Sequence, residues 1–404
     1  MNIPYVKGNP IFTNINKKMK QYPYIQENLD TEVIVVGGGV TGAILGYYFT
    51  KSNIPCVILE KDRIGHCSTS ITTALLQYEL DGNLEDLRQY TSLENSLNVY
   101  KLGKVALDEI DKIINEYGND CSYKKRDTLL YTSKSVEEEA LKREYDLRRE
   151  NGFDVDFINE KNNPFSFDIK GGVYSINGGA EIDPYLFNHK LLDIATSKGL
   201  KVYENTEVVK VNYLDNEVEV ETKYNYKVRG KIVIVATGYN TSMFTNRSFG
   251  TKYTTFNIVT SPIENLEEWY NRVLIRDNKQ TYNYYRTTFD NRIIAGGEDV
   301  NFVPDIFNEE IALEKYDILM QKVKDMFPSS KNAKIEYSYC GAFASTKDNV
   351  GFIGKDPDKN NLWYCLGYGA NGILFSMLGG LMLPKLYKGE YDENLNLFKV
   401  DRFD

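Results

Sequence analysis

The chain has 404 residues, which is too many for one small core and fits two closely joined domains or one large α/β unit. Its 48 basic and 57 acidic residues give a formal net charge of −9 at pH 7, which argues against nucleic-acid binding. The sequence lacks an apolar run of about 18 residues, the length that crosses a bilayer, so we expect no stable membrane insertion.

The chain has five cysteines and two histidines. The cysteines are scattered, odd in number and form no C-x-x-C pair, so we expect neither a disulfide framework nor a zinc site. Two histidines are too few for a His-based metal cluster, and we predict no metal site. This cysteine usage favours a reducing compartment, and we expect the protein to be cytoplasmic.

The first element is an extended arm, residues 1–30, which contains lysines and prolines and lacks the apolar run of a signal peptide. The arm leads into VIVV at 33–36, where β-branched residues without alternation predict a parallel strand buried on both faces. Gly37, Gly39 and Gly42 follow in the pattern G-x-G-x-x-G. The pattern predicts a tight turn, close approach of a pyrophosphate to the backbone, and a helix lying against the sheet.

A second strand is predicted at 56–59, and Glu60 ends it. At this distance from the glycines an acidic side chain holds a ribose diol, and its charge disfavours NADP. The alternative interpretation is a packing turn followed by a surface glutamate. Lys61 opens the next turn and is a further cofactor-binding candidate. Ser68 and Thr69 lie in a hydroxyl-rich run, where their hydroxyls either donate to phosphate or ring oxygens or only cap a helix.

The middle of the chain alternates between helices and strands. Apolar spacing predicts a helix over 84–117, and a charged helix follows at about 136–151. Asp183 and Pro184 form an N-cap and first helical position, which predicts another helix. The sequence KIVIVA at 231–236 predicts a second buried strand, and the last segment predicts a strand, a glycine-rich turn and an apolar helix.

Nucleotide-binding segments therefore recur along the chain, and we assign them together to one domain: residues 31–80, 181–240 and 336–404. The intervening residues 81–180 and 241–335 predict a second domain. Such interleaving is not typical of a simple NAD dehydrogenase, in which the nucleotide-binding unit is continuous.

The chain resembles the FAD-dependent oxidoreductases of the D-amino-acid oxidase and glycine oxidase type. The resemblance covers nearly the whole chain from about Thr31, and four stretches carry it in order: VVGGGVTG with Glu60, KGLKVYENTEVVKV, IVIVATGY, and GAFASTKDNVGFIG…GYGANGILFS. It implies tightly held FAD rather than NAD. The implied fold class is α/β, with a Rossmann-like FAD-binding domain interleaved with a substrate domain built on a mixed β-sheet.

The resemblance also implies roles for matching positions. The three glycines of the first motif would meet the pyrophosphate, and Glu60 the adenosine ribose. Val208 or Val209 would lie beside the adenine, and we take Val209. Thr237 and Gly238 would pass near the phosphates or ribitol. The residues implied near the isoalloxazine are Gly367, Gly369, Ala370, Asn371, Gly372 and Ile373. A helix beginning there would direct its positive end at the flavin edge that gathers negative charge on reduction.

The substrate side is marked by Tyr284 and Arg286, which alternate and so share one face of a strand. Arg286 would bind a substrate carboxylate in a bidentate pair while Tyr284 narrows the pocket; the alternative is a cross-strand ion pair facing solvent. The family's arginine near the start of GAFASTKD is absent here. Similarity to sarcosine-oxidase-like relatives implies oxygen activation by Lys347, and Cys340 is either a covalent flavin attachment or a packing cysteine.

We therefore expect an enzyme that oxidises a small amine or amino acid by hydride transfer to flavin N5. The alternative is a flavin-dependent dehydrogenase of the 2-hydroxy acid or glycerol-3-phosphate type, which needs a base, such as a pocket histidine, for the hydroxyl proton. A third alternative is a protein in which FAD is only structural, or one that modifies a bound partner such as tRNA. The acidic net charge argues against an RNA partner. The electron acceptor, O₂ or another, stays open.

Overall fold

The computed structural model describes residues 5–279, 281–303, 307–369 and 371–404. The strands are β1 (Val6–Gly8), β2 (Leu29–Asp30), β3 (Val33–Val36), β4 (Cys56–Leu59), β5 (Leu75–Gln77), β6 (Lys124–Thr132), β7 (Val155–Ile158), β8 (Gly171–Glu181), β9 (Lys201–Tyr203), β10 (Val208–Tyr213), β11 (Val218–Thr222), β12 (Lys227–Gly230), β13 (Ile232–Val235), β14 (Thr251–Thr260), β15 (Leu274–Asp277), β16 (Tyr284–Thr287), β17 (Ile293–Asn301), β18 (Ile335–Ser345), β19 (Phe352–Lys355) and β20 (Leu362–Leu366).

The α-helices are α1 (Ile11–Ile15), α2 (Val40–Lys51), α3 (Ser68–Ile71), α4 (Leu84–Leu87), α5 (Leu93–Tyr117), α6 (Glu138–Glu150), α7 (Pro184–Thr196), α8 (Glu309–Met326) and α9 (Gly372–Tyr387). The predicted helix over 84–117 is thus divided into two, α4 and α5. Within the described residues, each helix is too short or too polar to span a bilayer.

A six-stranded sheet in the order β19-β20-β13-β3-β4-β9 forms one half of the molecule. Its strands pair in parallel except β19, which is antiparallel to β20. Helices α2, α7 and α9 cover one face, and a four-stranded sheet, β10-β11-β12-β2, covers the other. Because both faces are covered, β3 and β13 are apolar at every position, as the sequence predicts.

A ten-stranded mixed sheet forms the other half, in the order β1-β18-β14-β17-β16-β15-β6-β8-β5 with β7 paired to β8. Helix α8 packs on one face of β14 and β17, where Phe256, Ile258 and Ala295 join a core with Leu319 and Val323. The opposite face looks toward the parallel sheet. These two halves agree with the predicted α/β class and its mixed-sheet second unit.

The sheets depart from the predicted segment bounds at four strands, one of which is β2, which comes from the arm and pairs with β12 in the four-stranded sheet. β1 comes from the arm, residues 1–30, yet it pairs with β18 at the edge of the large sheet. β5 and β18 also belong to the large sheet, although they fall within the predicted segments 31–80 and 336–404. Backbone pairing decides these positions, and the sequence pattern of a single strand does not record its partner.

Arg148 in α6 lies at the centre of a buried ionic cluster that joins α6 to the large sheet. Its side chain is fully buried, with Nη1 2.8 Å from Glu79 Oε1 and Nε 2.7 Å from Glu144 Oε1. The same Glu79 oxygen accepts hydrogen bonds from Thr128 at 2.8 Å and Ser175 at 2.5 Å. Removing the guanidinium would leave two carboxylates buried without their counter-charge.

We predict that Arg148→Met lowers stability by about 3–5 kcal/mol, the usual cost of breaking a buried ion pair from one side. The matched control is Arg143→Met on the same helix, whose exposed pair with Glu85 at 2.9 Å should contribute little. Thermal unfolding of the two variants and the wild type measures the difference. Equal, small shifts in melting temperature would contradict the structural role of the cluster.

Candidate active site

A cavity of about 470 Å³ lies between the carboxyl ends of the parallel strands and the inner face of the large sheet. In open α/β sheets this edge is where ligands bind, because loops and helix N-termini converge there. Most of the predicted cofactor-binding residues line it: Gly37, Gly39, Glu60, Lys61, Ser68, Thr69, Thr237, Gly238, Gly367, Gly369, Asn371, Gly372 and Ile373. Ala370 lies outside the described residues.

The first glycine turn is built by close backbone contacts. Gly37 has φ +115°, and a Cβ there would collide with the carbonyl of Ala236 at the end of β13. A Cβ on Gly42 would collide with the Gly37 carbonyl, so Gly42 supports the turn from inside the helix rather than from the cavity wall. These contacts fix the start of α2 at the cavity.

Gly39 is the N-cap of α2, and its side-chain position opens toward the cavity. The nearest atom to a Cβ built there is Thr69 Oγ1 at 3.1 Å. That oxygen accepts a hydrogen bond from the Val40 N–H at 2.9 Å, so Thr69 caps α2. Because the oxygen accepts this bond, the hydroxyl proton can still donate to an anion at the helix N-terminus.

Glu60 lies at the end of β4, on the cavity wall. Its Oε2 accepts a hydrogen bond from the Gly38 N–H at 2.7 Å, and its Oε1 accepts one from the Asp62 N–H at 2.8 Å. Burial raises the pKa of the Glu60 carboxyl, while these two hydrogen bonds act in the opposite direction. The carboxylate is therefore held in a fixed orientation by the glycine turn itself, and further lone pairs can accept from a diol.

The segment after β20 brings a second helix N-terminus to the cavity. Gly367 and Gly372 approach each other so closely that a Cβ on either would collide with the other's backbone. Asn371, the N-cap of α9, donates a hydrogen bond from Nδ2 to the Glu79 carbonyl at 2.7 Å. Its buried Oδ1 has no hydrogen-bond partner among the described residues. The hydroxyls of Thr41 and Ser376, 2.7 Å apart, join α9 to α2.

Val209 does not reach the cavity, in contrast to the prediction. The pairing of β10 with β11 shifts between Val208 and Lys210, which leaves Val209 as the extra residue of a β-bulge, 46% exposed. The neighbouring Glu207 and Val208 line the cavity instead.

Tyr284 and Arg286 share one face of β16, but only Tyr284 lines the cavity. Arg286 is 2% exposed, lies 5.5 Å from the ring of Phe12 in α1, and donates to the Ile182 carbonyl at 3.1 Å. The arm therefore covers Arg286, and the structure does not support its predicted contact with substrate. The solvent-facing ion pair, the alternative, is also not found, because the side chain is buried.

Lys347 and Cys340 also lie away from the cavity. Lys347 is exposed, with Nζ 5.4 Å from the centre of the Phe403 ring. Cys340 is 2% exposed and packs with Phe256 and Tyr316 on the face of the large sheet that α8 covers. This placement fits the packing interpretation of Cys340.

Arg276 is a cavity residue that sequence reasoning missed. It lies on β15 directly opposite Tyr284, and its guanidinium carbon is 5.5 Å from the centre of the Tyr282 ring. The side chain is 4% exposed, and Nη1 donates to the Asp81 carbonyl at 2.5 Å. Nε and Nη2 have no hydrogen-bond partner among the described residues. The sequence feature that could have indicated Arg276 is its position as a charged residue directly after the apolar run VLI at 273–275.

Residues 32–386 match the protein family described as FAD dependent oxidoreductase. The chain belongs to this family. The match confirms the predicted resemblance, the oxidoreductase class and FAD as the cofactor.

Individual relatives agree with this assignment. Glycine oxidase from Bacillus subtilis (strain 168) is 25% identical over 379 residues, which cover 92% of this chain and 97% of that protein. The putative Rieske 2Fe-2S iron-sulfur protein YhfW from the same organism is 24% identical over 240 residues, but the match spans 57% of this chain and only 46% of that protein. The crystal structure of L-proline dehydrogenase from P. horikoshii superposes with a TM-score of 0.78 and 20% identity, covering 93% of this chain and 98% of that one, and so shares the fold.

The cavity fits an FAD molecule in the chemistry of its donors. The N-terminus of α2 suits the diphosphate, Glu60 suits a ribose diol, the N-terminus of α9 suits the flavin edge that gathers negative charge on reduction, and the orphaned Asn371 Oδ1 suits a ring N–H. The glycines of the two loops leave room for the cofactor to approach the backbone. We assign these residues as the ones that would hold the cofactor.

We predict that Gly39→Val gives protein without bound flavin, because the new side chain would enter the cavity at the helix N-terminus. Absorbance near 450 nm relative to 280 nm measures flavin content, and circular dichroism checks that the variant is folded. Val209→Ala is the matched control and should keep its flavin, since Val209 faces solvent. Full flavin content in Gly39→Val would refute the assignment of this turn.

Proposed function

We propose that the protein oxidises a small amino acid at its α-carbon with FAD, and that Arg276 binds the substrate carboxylate. The observation that carries this proposal is a buried guanidinium whose Nε and Nη2 lack partners in the described part of the chain, on the wall of the cavity. A carboxylate paired with these two nitrogens forms two charge-assisted hydrogen bonds. Leaving these two buried nitrogens without hydrogen bonds is costly, so a ligand is their natural partner.

The roles of relatives support an amino-acid substrate. Glycine oxidase and L-proline dehydrogenase are both named for small amino acids that carry an amine and a carboxylate on one carbon. Bound FAD would act as the acceptor of a hydride from the substrate carbon. We propose that the hydride is transferred to flavin N5. The protein binds the carboxylate, orients the α-carbon and restricts water.

A hydroxy acid is the competing substrate class, and it favours a histidine base in the cavity. His66 and His189 are not among the residues that line it; His66 Nε2 lies 3.2 Å from the Tyr185 hydroxyl, and His189 is buried in α7. Tyr282 and Tyr284 instead wall the site beside Arg276, with ring centres 5.8 Å apart. Burial raises the pKa of both phenols far above neutrality, so they act as neutral walls and hydrogen-bond donors.

We propose a cytoplasmic location, supported by the free state of all five cysteines, four of which are buried. The net charge of −9 supports a small-molecule substrate over a nucleic acid. We propose O₂ or another acceptor as the destination of the electrons; oxygen consumption during turnover distinguishes O₂ from the other acceptors.

The test is anaerobic reduction of the purified flavoprotein by glycine, L-proline, D-alanine, glycolate and glycerol 3-phosphate. We expect bleaching of the flavin absorbance with at least one of the amino acids and none with the last two compounds. Bleaching by glycolate or glycerol 3-phosphate alone would replace the proposal with the hydroxy-acid or glycerol-3-phosphate class.

We predict that Arg276→Met weakens binding of the reducing amino acid about 10²-fold, the value of a charge-assisted bidentate pair, without loss of flavin. The dissociation constant comes from the dependence of the anaerobic reduction rate on amino-acid concentration. Arg286→Lys is the matched control, since it changes a buried arginine of the neighbouring strand that lies under α1. If Arg286→Lys weakens binding and Arg276→Met does not, the carboxylate site is the one first expected from the sequence.

A further inference from the structure

The large sheet contains a β-bulge next to the cavity. Thr254 pairs with Val300 and Phe256 pairs with Gly297, so that Thr255 alone stands opposite both Glu298 and Asp299. Gly297 and Glu298 have φ of +127° and +56°, conformations that the bulge requires. Because side chains alternate along a strand, an extra residue reverses which face each following side chain occupies.

The reversal separates two adjacent acids. Glu298 faces α8, where its carboxylate contacts Lys322 and lies 3.6 Å from Lys315. Asp299 instead lines the cavity together with Thr255, Tyr282 and Tyr284. In a regular strand Asp299 would have faced α8, and Glu298 the cavity. Bulges beside active sites commonly re-aim a side chain in this way.

Asp299 shares its part of the cavity with charged and titratable groups from several strands. Its buried Oδ1 has no hydrogen-bond partner among the described residues. Burial, with smaller contributions from Asp81 and Glu298, raises the pKa of Asp299 to about 6, although the hydrogen bond with the Thr255 hydroxyl acts in the opposite direction. Asp299 in turn raises the pKa of Tyr282 and Tyr284. The nearby cation is Arg276, whose Nη1 is 4.0 Å from Asp81 Oδ1.

We propose that Asp299 binds the ammonium group of the substrate while Arg276 binds its carboxylate, and that Asp299 Oδ1 accepts an N–H proton during oxidation. The inference rests on the proposed function. It makes the site a two-point receptor for an α-amino acid, with one cationic and one anionic anchor on neighbouring parts of the same sheet face. A simple amine lacks the first contact, and a 2-hydroxy acid offers the second anchor only a neutral hydroxyl in place of a cation.

The proton balance of the reaction gives Asp299 its role. An amino-acid ammonium group carries no lone pair, so it sheds one proton before a hydride can leave the α-carbon. Asp299 accepts that proton, and loss of the hydride, which the family's FAD takes up, converts the neutral amine to an iminium. The carboxylate is ionised and able to accept a proton above its pKa, and protonated and unable to do so below it.

The experiment measures the second-order rate constant of anaerobic flavin reduction between pH 5 and 10, at subsaturating concentrations of whichever of glycine, L-proline or D-alanine reduces the wild type, because this constant reports the pKa values of the free protein. We expect the wild-type rate to fall as pH drops through about 6, in line with the pKa of Asp299. In Asp299→Asn we expect a rate roughly 10²-fold lower at pH 7 and a new dependence that follows the amine's own titration at alkaline pH. Asp299→Glu should restore part of the rate.

Two controls keep the outcome specific. Glu298→Gln, one residue away on the opposite face, should keep the wild-type rate at pH 7 while moving the acid limb to slightly lower pH. Acetate, a carboxylate without an amine, should perturb the flavin spectrum of Asp299→Asn at the same or lower concentration than the wild type, which shows an intact Arg276 site without reference to turnover.

The outcomes separate the inference from the proposed function. If no amino acid reduces the wild-type flavin, the proposed function fails, and this inference fails with it. If an amino acid reduces the wild type and Asp299→Asn keeps the same rate and pH profile, the proposed function stands and the role of Asp299 is refuted.

Discussion

The site depends first on backbone crowding at the carboxyl end of the parallel sheet. Gly37 packs against the carbonyl of Ala236, and Gly42 packs against the carbonyl of Gly37, so no side chain can separate the strand, turn and helix. These contacts hold the N-terminus of α2 at the cavity. The Thr41–Ser376 hydrogen bond then ties α9 to the same place. Positive ends of two helices thereby face the same cavity, which favours the negative charge of a diphosphate at α2 and the negative charge of the reduced flavin at α9.

The substrate face depends on register in the large sheet. Arg276, Tyr284, Gly296 and Asn257 stand side by side across four strands. A Cβ on Gly296 would collide with the Tyr284 ring, so the glycine allows the ring to lie across β17. The Tyr284 hydroxyl then reaches Thr255 at 3.1 Å and Asn257 at 3.3 Å. A slip of one residue would turn Arg276 to the opposite face, which explains how pairing controls the chemistry of the site.

The sequence predicts what is encoded locally. The glycine turn, the position of Glu60 after its strand, both apolar parallel strands and the Pro184 helix follow from patterns within short segments of sequence, and the structure agrees with each. The predictions that were wrong concern residues whose positions depend on distant parts of the chain. Val209 occupies a bulge whose position depends on a partner strand, and Arg286 is covered by α1, which comes from the far end of the chain. Propensity and periodicity record neither event, because both describe one segment at a time.

Charge balance at the substrate face argues for a zwitterionic ligand. Arg276 supplies one positive charge, whereas Asp81 and Asp299 supply two carboxylates on the same cavity wall. A ligand that carries only a carboxylate would be attracted by Arg276 and repelled by the two acids, at close range and partly shielded from water. A ligand that also carries an ammonium group meets a charge of each sign. The bulge that directs Asp299 into the cavity therefore sets the electrostatic difference between an amino acid and the corresponding hydroxy acid, with no histidine required.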